Sequence, residues 1–328
     1  MSAFHKRCSL LVAVLVGFFS AITPAFALDP KVRIEDYNHT IWTAKDGVPG
    51  EIISMAQTPD GWLWLGTLTG LYRFDGVRFE RYTLPGKLAL RRNRITQVHA
   101  EPNGDLWISY AVSGVSVLHS DGTMDDLTDP GHSVIGPNGG MGPISAMSVD
   151  ADGSLWVGAL GGIYHYVKGV WNPVAVGRDW AVSDGRSVVR DQYDRIWAAN
   201  TDHVYLLDRA SGKFERVEAS DARGSIILSP DGRVWAAGRD RVELLDVPPN
   251  TAELLRPSFA NQHESRWGGQ FDRDGNLWSL KCPKGLCIIN AAEIGDKKSI
   301  RPFADHTGGL DERWQLSSPG VNALLGKH

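Results

Sequence analysis

The chain has 328 residues, with 34 Lys and Arg against 38 Asp and Glu and a formal charge of −4, so it carries no general positive field for nucleic acid or acidic lipid. Hydrophobic residues make up 42% of it, and no Gly/Ser-rich or Pro-rich linker divides it into halves. The abundance of Gly (36) and Trp (12) favours one closed all-β architecture over two ordinary domains.

The first element is a leader. Lys6 and Arg7 precede an apolar run from Leu10 to Phe19 that ends near Ala25-Phe26-Ala27. This is the pattern of a secretory signal peptide, with cleavage expected after Ala27. The run is shorter than the roughly 20 apolar residues of a membrane span, so no span is expected in the mature chain. Cleavage also removes two basic side chains and no acidic one, leaving a more acidic, exported, periplasmic product. Residues 28–328 are then the body of the protein.

One phrase recurs along that body. It reads DGWLW ending at Trp64, NGDLW at Trp107, DGSLW at Trp156, YDRIW at Trp197, DGRVW at Trp235 and DGNLW at Trp278, with successive tryptophans 38 to 49 residues apart. A period near 40–45 residues built from short strands is the signature of β-propeller blades. In the first repeat, residues 51–57, 62–67, 71–74 and 77–82 read as four strands, with tight turns at Pro59-Asp60-Gly61 and Asp75-Gly76. The fifth repeat follows the same plan over 225–229, 233–237 and 241–246.

The fourth repeat replaces Asp-Gly by Tyr193-Asp194, and Asp tolerates the left-handed conformation at some cost. The longest interval owes its length to residues 130–143, a Gly- and Pro-rich surface loop. The prediction is an all-β propeller of YVTN/WD40-like architecture, with six complete four-stranded blades.

The shared position of the six tryptophans gives them a structural role. An indole at the same place in every blade packs against the next blade and buries roughly 200 Å². At about 25 cal/mol/Å² this is a major part of the cohesion between blades. A sugar-binding platform fits poorly with six rings in one framework position.

The chain's two ends echo each other. Ile41-Trp42 is followed by Pro49-Gly50 and an apolar strand, and Arg313-Trp314 by Pro319-Gly320 and Val321-Asn322-Ala323-Leu324-Leu325. A seventh blade is therefore expected to be begun and left incomplete, as in a truncated copy or fragment of something longer, with residues 33–42 able to add an outer strand. An open ring would expose strand edges.

The segment from Ile41 to Tyr82, with its Trp-Thr-x-x-Asp-Gly-Val-Pro opening and Leu-Trp-Leu-Gly-Thr-x-x-Gly-Leu-Tyr-Arg-Phe-Asp-Gly-Val-Arg-Phe body, resembles the regulator-propeller repeat of bacterial two-component sensors. The resemblance covers essentially the whole mature chain, strongest in the first blade. It implies a periplasmic sensor of two propellers, an immunoglobulin-like sandwich, one membrane helix and a cytoplasmic histidine kinase or diguanylate cyclase. None of those later parts is in this sequence. The implied partners are a saccharide or similar small ligand, the remainder of a sensor kinase chain and a second copy in a homodimer.

Other motifs weigh toward framework. Asp150-x-Asp152-Gly153 and Asp272-x-Asp274-Gly275-Asn276 open like calcium loops but lack the distal Glu, and both fall on blade turns. His263-Glu264 lacks a second His, Gly139-Gly140-Met141-Gly142 lacks the Lys-Ser/Thr of a phosphate loop, and no nucleophile elbow is present. No cofactor, metal or catalytic residue is expected.

With Cys8 lost in the leader, Cys282 and Cys287 are a disulfide candidate in an oxidising space, with two unpaired thiols the alternative. Arg91, Arg92 and Arg94, on the connection from the first blade to the second, are the candidate ligand residues, suited to an acidic sugar or other anion. A solvated loop with ordinary charges is the competing account. A propeller enzyme similar to streptogramin lyases, or a scaffold for protein partners, are the other function classes left open.

Overall fold

A computed structural model describes residues 40–83, 94–111, 114–127, 141–174, 185, 187–200, 203–217, 225–237, 242–245, 269–272, 274–282, 285–295 and 299–300. Residues 1–27, Arg91 and Arg92, the Gly139–Gly140 pair, His263-Glu264 and the 313–325 echo lie outside the described residues.

Each Trp phrase opens the second strand of a small antiparallel sheet. Blade 1 is β1 (Ile52–Gln57), β2 (Leu63–Thr67), β3 (Gly70–Phe74) and β4 (Phe79–Arg81), in sequence order across the sheet. Blade 2 repeats this with β5 (Ile95–Ala100), β6 (Leu106–Tyr110), β7 (Val115–Leu118) and β8 (Met124–Asp126). Blade 3 has β9 (Ile144–Val149), β10 (Leu155–Ala159), β11 (Gly162–Val167) and β12 (Val170–Pro173). Blade 4 has β13 (Ser187–Arg190), β14 (Ile196–Ala199), β15 (Val204–Asp208) and β16 (Lys213–Arg216).

Among the described residues the last two sheets are less regular than the first four. Blade 5 contains β17 (Ser225–Leu228), β18 (Val234–Ala237) and β19 (Val242–Leu244), while blade 6 contains only β20 (Gly269–Phe271), β21 (Leu277–Cys282) and β22 (Gly285–Ile289) among the described residues. After β22 a short helix, α1 (Ala291–Ile294), turns the chain back, and β23 (Ser299–Ile300) pairs with β19. β23 therefore lies on the edge of the fifth sheet. Burial accounts for the return, since Ile294 and Ile300 both enter the apolar cluster between blades 5 and 6.

The hairpin that joins the first two strands is the same in all six blades. In blade 1, Thr58 N–H donates to Trp62 O at 3.1 Å and Gly61 N–H to Thr58 O at 2.9 Å. The pattern recurs at Glu101/Gly104, Asp150/Gly153, Asp191/Asp194, Ser229/Gly232 and Asp272/Gly275. The last residue of each turn needs positive φ, which Gly supplies at no steric cost. Blade 4 has no Gly there, and Asp194 takes the left-handed conformation at φ 57°.

Five apolar clusters lie between consecutive blades, and they form the core. Trp64 joins Ile95, Val98, Leu106 and Ile108 across the first junction, and Trp156 joins Val188, Ile196 and Phe214 across the third. Trp197 and Trp235 do the same across the fourth and fifth. Close approach is built in: a Cβ on Gly66 of β2 would sit 2.8 Å from Ile95 Cγ2 of the next blade. Successive four-stranded sheets packed face to face through their inner strands make the molecule a β-propeller.

Candidate functional site

Antiparallel order gives a blade two ends. The hairpins between first and second strands, and between third and fourth, lie at one end. The connections between second and third strands, together with the segments leading into each first strand, lie at the other.

At the hairpin end, the polar chemistry serves the tryptophans. Trp64 Nε1 donates to Thr58 Oγ1 at 2.9 Å, Trp156 to Asp150 Oδ2 at 3.2 Å and Trp197 to Asp191 Oδ2 at 2.8 Å. Trp235 donates to Ser229 Oγ at 3.1 Å and Trp278 to Asp272 Oδ2 at 2.8 Å. In these five blades the acceptor stands six residues before the ring, on the first residue of the turn. A buried indole N–H needs such a partner. The sequence carries this signal as Thr, Asp, Asp, Ser and Asp at one offset, and reading the Trp phrase alone missed it.

The two calcium-like stretches belong to this system. Asp272 Oδ1 accepts from Asp274 N–H at 3.0 Å and Asn276 N–H at 2.9 Å, and its other oxygen takes Asn276 Nδ2 and the Trp278 indole. Asp150 is held by Ala151 N–H, by Trp156 and by a two-pronged contact from Arg209, at 2.9 and 2.8 Å, which reaches across from blade 4. Burial pushes the Asp150 carboxyl up, but Arg209, Ala151 and Trp156 together outweigh it and hold the group below the usual carboxylate range. The described residues contain no group of three His, Cys, Asp or Glu side chains placed to hold a metal ion.

Beside Asp150, Ser154 Oγ lies 2.5 Å from Asp152 Oδ1 and 2.8 Å from His165 Nε2. With the hydroxyl proton donated to Asp152, His165 must donate to Ser154. That is the reverse of the proton flow that activates a serine nucleophile. His165 also stacks on Trp156, with ring centroids 3.9 Å apart, and burial lowers its pKa. The trio braces a turn.

The opposite end is the candidate ligand rim. Arg94, the described member of the arginine group, is exposed just before β5, and its carbonyl accepts Ala111 N–H at 2.9 Å. That bond ties the lead-in of blade 2 to the connection between its second and third strands. In blade 1 the matching connection carries Thr67, Leu68 and Thr69, with Arg81 Nη2 donating to Thr69 O at 3.1 Å. In blade 3 it carries Leu160, 54% exposed, and in blade 4 Asn200, whose Oδ1 accepts His203 N–H at 2.7 Å. The rim thus offers an exposed cation, the exposed Thr69 and exposed leucines.

Cys282 and Cys287 sit on β21 and β22. The backbone register sets Cys287 opposite Ser279 and Cys282 opposite Gly285, with a register shift between, so the two are not directly opposed. Their side chains lie outside the described set.

The chain is a β-propeller, and comparison with solved structures agrees with that class. It is similar to a catalytically inactive virginiamycin B lyase from Staphylococcus aureus bound to quinupristin, at 16% identity and TM-score 0.52, covering 74% of this chain and 78% of the lyase. It also matches the extracellular domain of a hybrid two-component system protein from B. thetaiotaomicron, at 16% identity and TM-score 0.40, covering 73% of this chain and 40% of that one. These are likenesses of fold. No family model and no curated protein sequence matches the chain. Among the described residues no helix is long and apolar enough to cross a membrane.

Proposed function

We propose that this chain is the ligand-sensing propeller of an exported two-component signalling protein. It works in the periplasm without catalytic machinery of its own, and it takes a saccharide or similar small anionic ligand on the rim around Arg94. The observation that carries this reading is the regulator-propeller phrase, residues 41–82, which folds as one blade with its lead-in.

Within that blade the indole and the turn residues are committed to framework, which leaves recognition to the rim. Arg94 supports an anionic group there, since a guanidinium offers a planar fork of donors to a carboxylate or phosphate. Sheets packed this closely favour signalling by rigid-body motion, the propeller shifting against its neighbours in a dimer and passing the change to the remainder of a sensor kinase chain.

The test is calorimetric. Purified mature protein is screened against acidic and neutral glycans and common metabolites, with Arg94→Ala beside it. The expected result is saturable binding that Arg94→Ala weakens on the order of tenfold, the loss of one charge-assisted contact of about 1.4 kcal/mol, with unchanged thermal stability. Absence of binding in the whole screen, from a protein whose full-length parent responds to one of those compounds, would refute direct recognition by this region.

A further inference from the structure

One turn breaks the rule that builds the other five. The hairpin between first and second strands ends in Asp-Gly or Asn-Gly in blades 1, 2, 3, 5 and 6, and in Tyr193-Asp194 in blade 4. In blades 1, 2, 3 and 5 the residue before Gly works for the backbone. Asp60, Asn103, Asp152 and Asp231 each accept, through Oδ1, the N–H two residues on, at 3.4, 3.0, 2.9 and 3.3 Å. Tyr193 has no such oxygen. Asp191 takes over in blade 4, its Oδ1 accepting Tyr193 N–H at 2.9 Å and Arg195 N–H at 3.0 Å. The turn also gives up its glycine, and Asp194 holds φ 57°, a conformation that most L residues avoid.

What the exchange adds is an aromatic ring outside the framework. Tyr193 is 51% exposed, the most exposed aromatic side chain among the described residues. The ring is nonetheless seated. Arg195 Cζ lies 5.2 Å from its centroid, and Arg195 Nε donates to Oδ2 of the buried Asp191 at 2.6 Å. Asp194 is fixed through its main chain, since Arg209 Nε and Nη2 both donate to its carbonyl, at 3.2 and 2.6 Å. Its carboxylate, 65% exposed, keeps only a loose contact with Arg190 Nη1 at 3.8 Å. The tip of blade 4 thus presents a backed ring, an open carboxylate and a guanidinium.

These surroundings select the occupant. A stable protein interface takes roughly 800 Å² from each partner around an apolar centre, and this tip offers one ring bordered by charge. A pyranose suits it: the apolar C–H face of the sugar lies on an aromatic ring, while its hydroxyls donate to a carboxylate and accept from a guanidinium. We propose that Tyr193, with Asp194 and Arg190, is a binding site for a neutral sugar at the hairpin end of the propeller. The site lies at the opposite end of the blades from Arg94, and the inference stands without the rim reading.

Saturation-transfer NMR with cellobiose, maltose, lactose and mannobiose as probes tests it. The unaltered protein is compared with Tyr193→Ala, Tyr193→Phe, Arg94→Ala and the double variant Tyr193→Asp with Asp194→Gly, which rebuilds the turn of the other blades. The expected result is saturable contact with at least one of the four sugars, weakened on the order of tenfold by Tyr193→Ala and kept by Tyr193→Phe. The double variant should weaken binding to the same degree while its melting temperature rises by about 1–3 °C, because glycine takes positive φ without strain. That pairing separates a binding role from a structural one, and it decides the matter if Tyr193→Ala fails to fold. Binding of none of the four sugars overturns the proposal. So does undiminished binding by Tyr193→Ala or by the double variant, and so does loss on Arg94→Ala alone, which places the sugar on the rim. Self-association that Tyr193→Ala abolishes, without sugar contact, also overturns it and makes the ring a contact between copies.

Discussion

Blades 2 and 3 are neighbours built on the same hairpin, and they hold their tryptophans differently. Trp156 is 4% exposed and its N–H rests on Asp150, six residues earlier. Trp107 is half-exposed, and the residue at that offset, Glu101, turns instead to His99 Nε2 at 2.7 Å. The backbone is not the cause, because both turns make the same pair of main-chain bonds. One methylene is: Asp, Ser and Thr place an oxygen under the indole from the first turn position, and Glu carries its carboxylate past it. A short acceptor at this position therefore caps the indole, and the hairpin forms with or without it.

The largest break in this contrast comes from Asp150→Ala. That change strands the Trp156 indole and removes the partner of Arg209, the charge that joins blade 3 to blade 4. Arg209 is 49% exposed and regains water, so the expected cost is about 2–3 kcal/mol, below that of breaking a fully buried pair. Urea unfolding of the protein measures it. A loss no larger than that of Thr58→Ala, which removes a hydroxyl cap worth about 1 kcal/mol, would show that the cross-blade pair adds nothing.

A smaller effect, of opposite sign, is expected from Glu101→Asp. If side-chain length is what separates blade 2 from the others, the shorter carboxylate should reach Trp107 and stabilise the protein by about 0.5–1 kcal/mol, despite losing the His99 contact. A red-shifted, solvent-quenched indole that becomes shielded in the variant would accompany the gain. A neutral or destabilising outcome would mean that Trp107 is set by its neighbours across the junction and not by its cap.

Much of this architecture was legible in the residues. The six phrases located the six hairpins because Asp-Gly forces a turn and the indole demands a junction. Even the exception at Tyr193-Asp194 announced itself, since Asp is among the few residues that tolerate positive φ. What the pattern left out is non-local. The return of β23 to blade 5 depends on which neighbour buries Ile300, and a two-residue strand has no period to read. The caps were written at a fixed offset, but their meaning needs the indole's direction. The rim is least legible. Its residues come from connections of different lengths, and only Arg94 of the arginine group lies among the described residues.

The smallest expected effect separates the two blades by pH. Blade 3 is clamped by an arginine, whose charge is permanent, whereas blade 2 relies on histidine. His119 Nδ1 lies 3.2 Å from Asp105 Oδ1, on the first hairpin, and its Nε2 lies 3.2 Å from Asp125 Oδ2, on β8. A neutral imidazole has one N–H, so only the imidazolium donates to both carboxylates. Burial lowers the His119 pKa, but the bonds and charges of Asp125 and Asp105 outweigh it and raise the pKa above its ordinary value, with Asp121 close enough to feel the charge. A raised folded-state pKa gives stability that is fully present below the unfolded-state value of 6.5 and is lost as pH rises through the folded-state value. The stability gap between wild type and His119→Gln should therefore be widest in acid and narrow toward alkaline pH, while the cost of Asp150→Ala stays level over the same interval. NMR titration of the His119 ring, paired with unfolding curves across that range, measures both. A gap that stays constant, or widens toward alkaline pH, would mean that the imidazolium does not hold β8 to the hairpin.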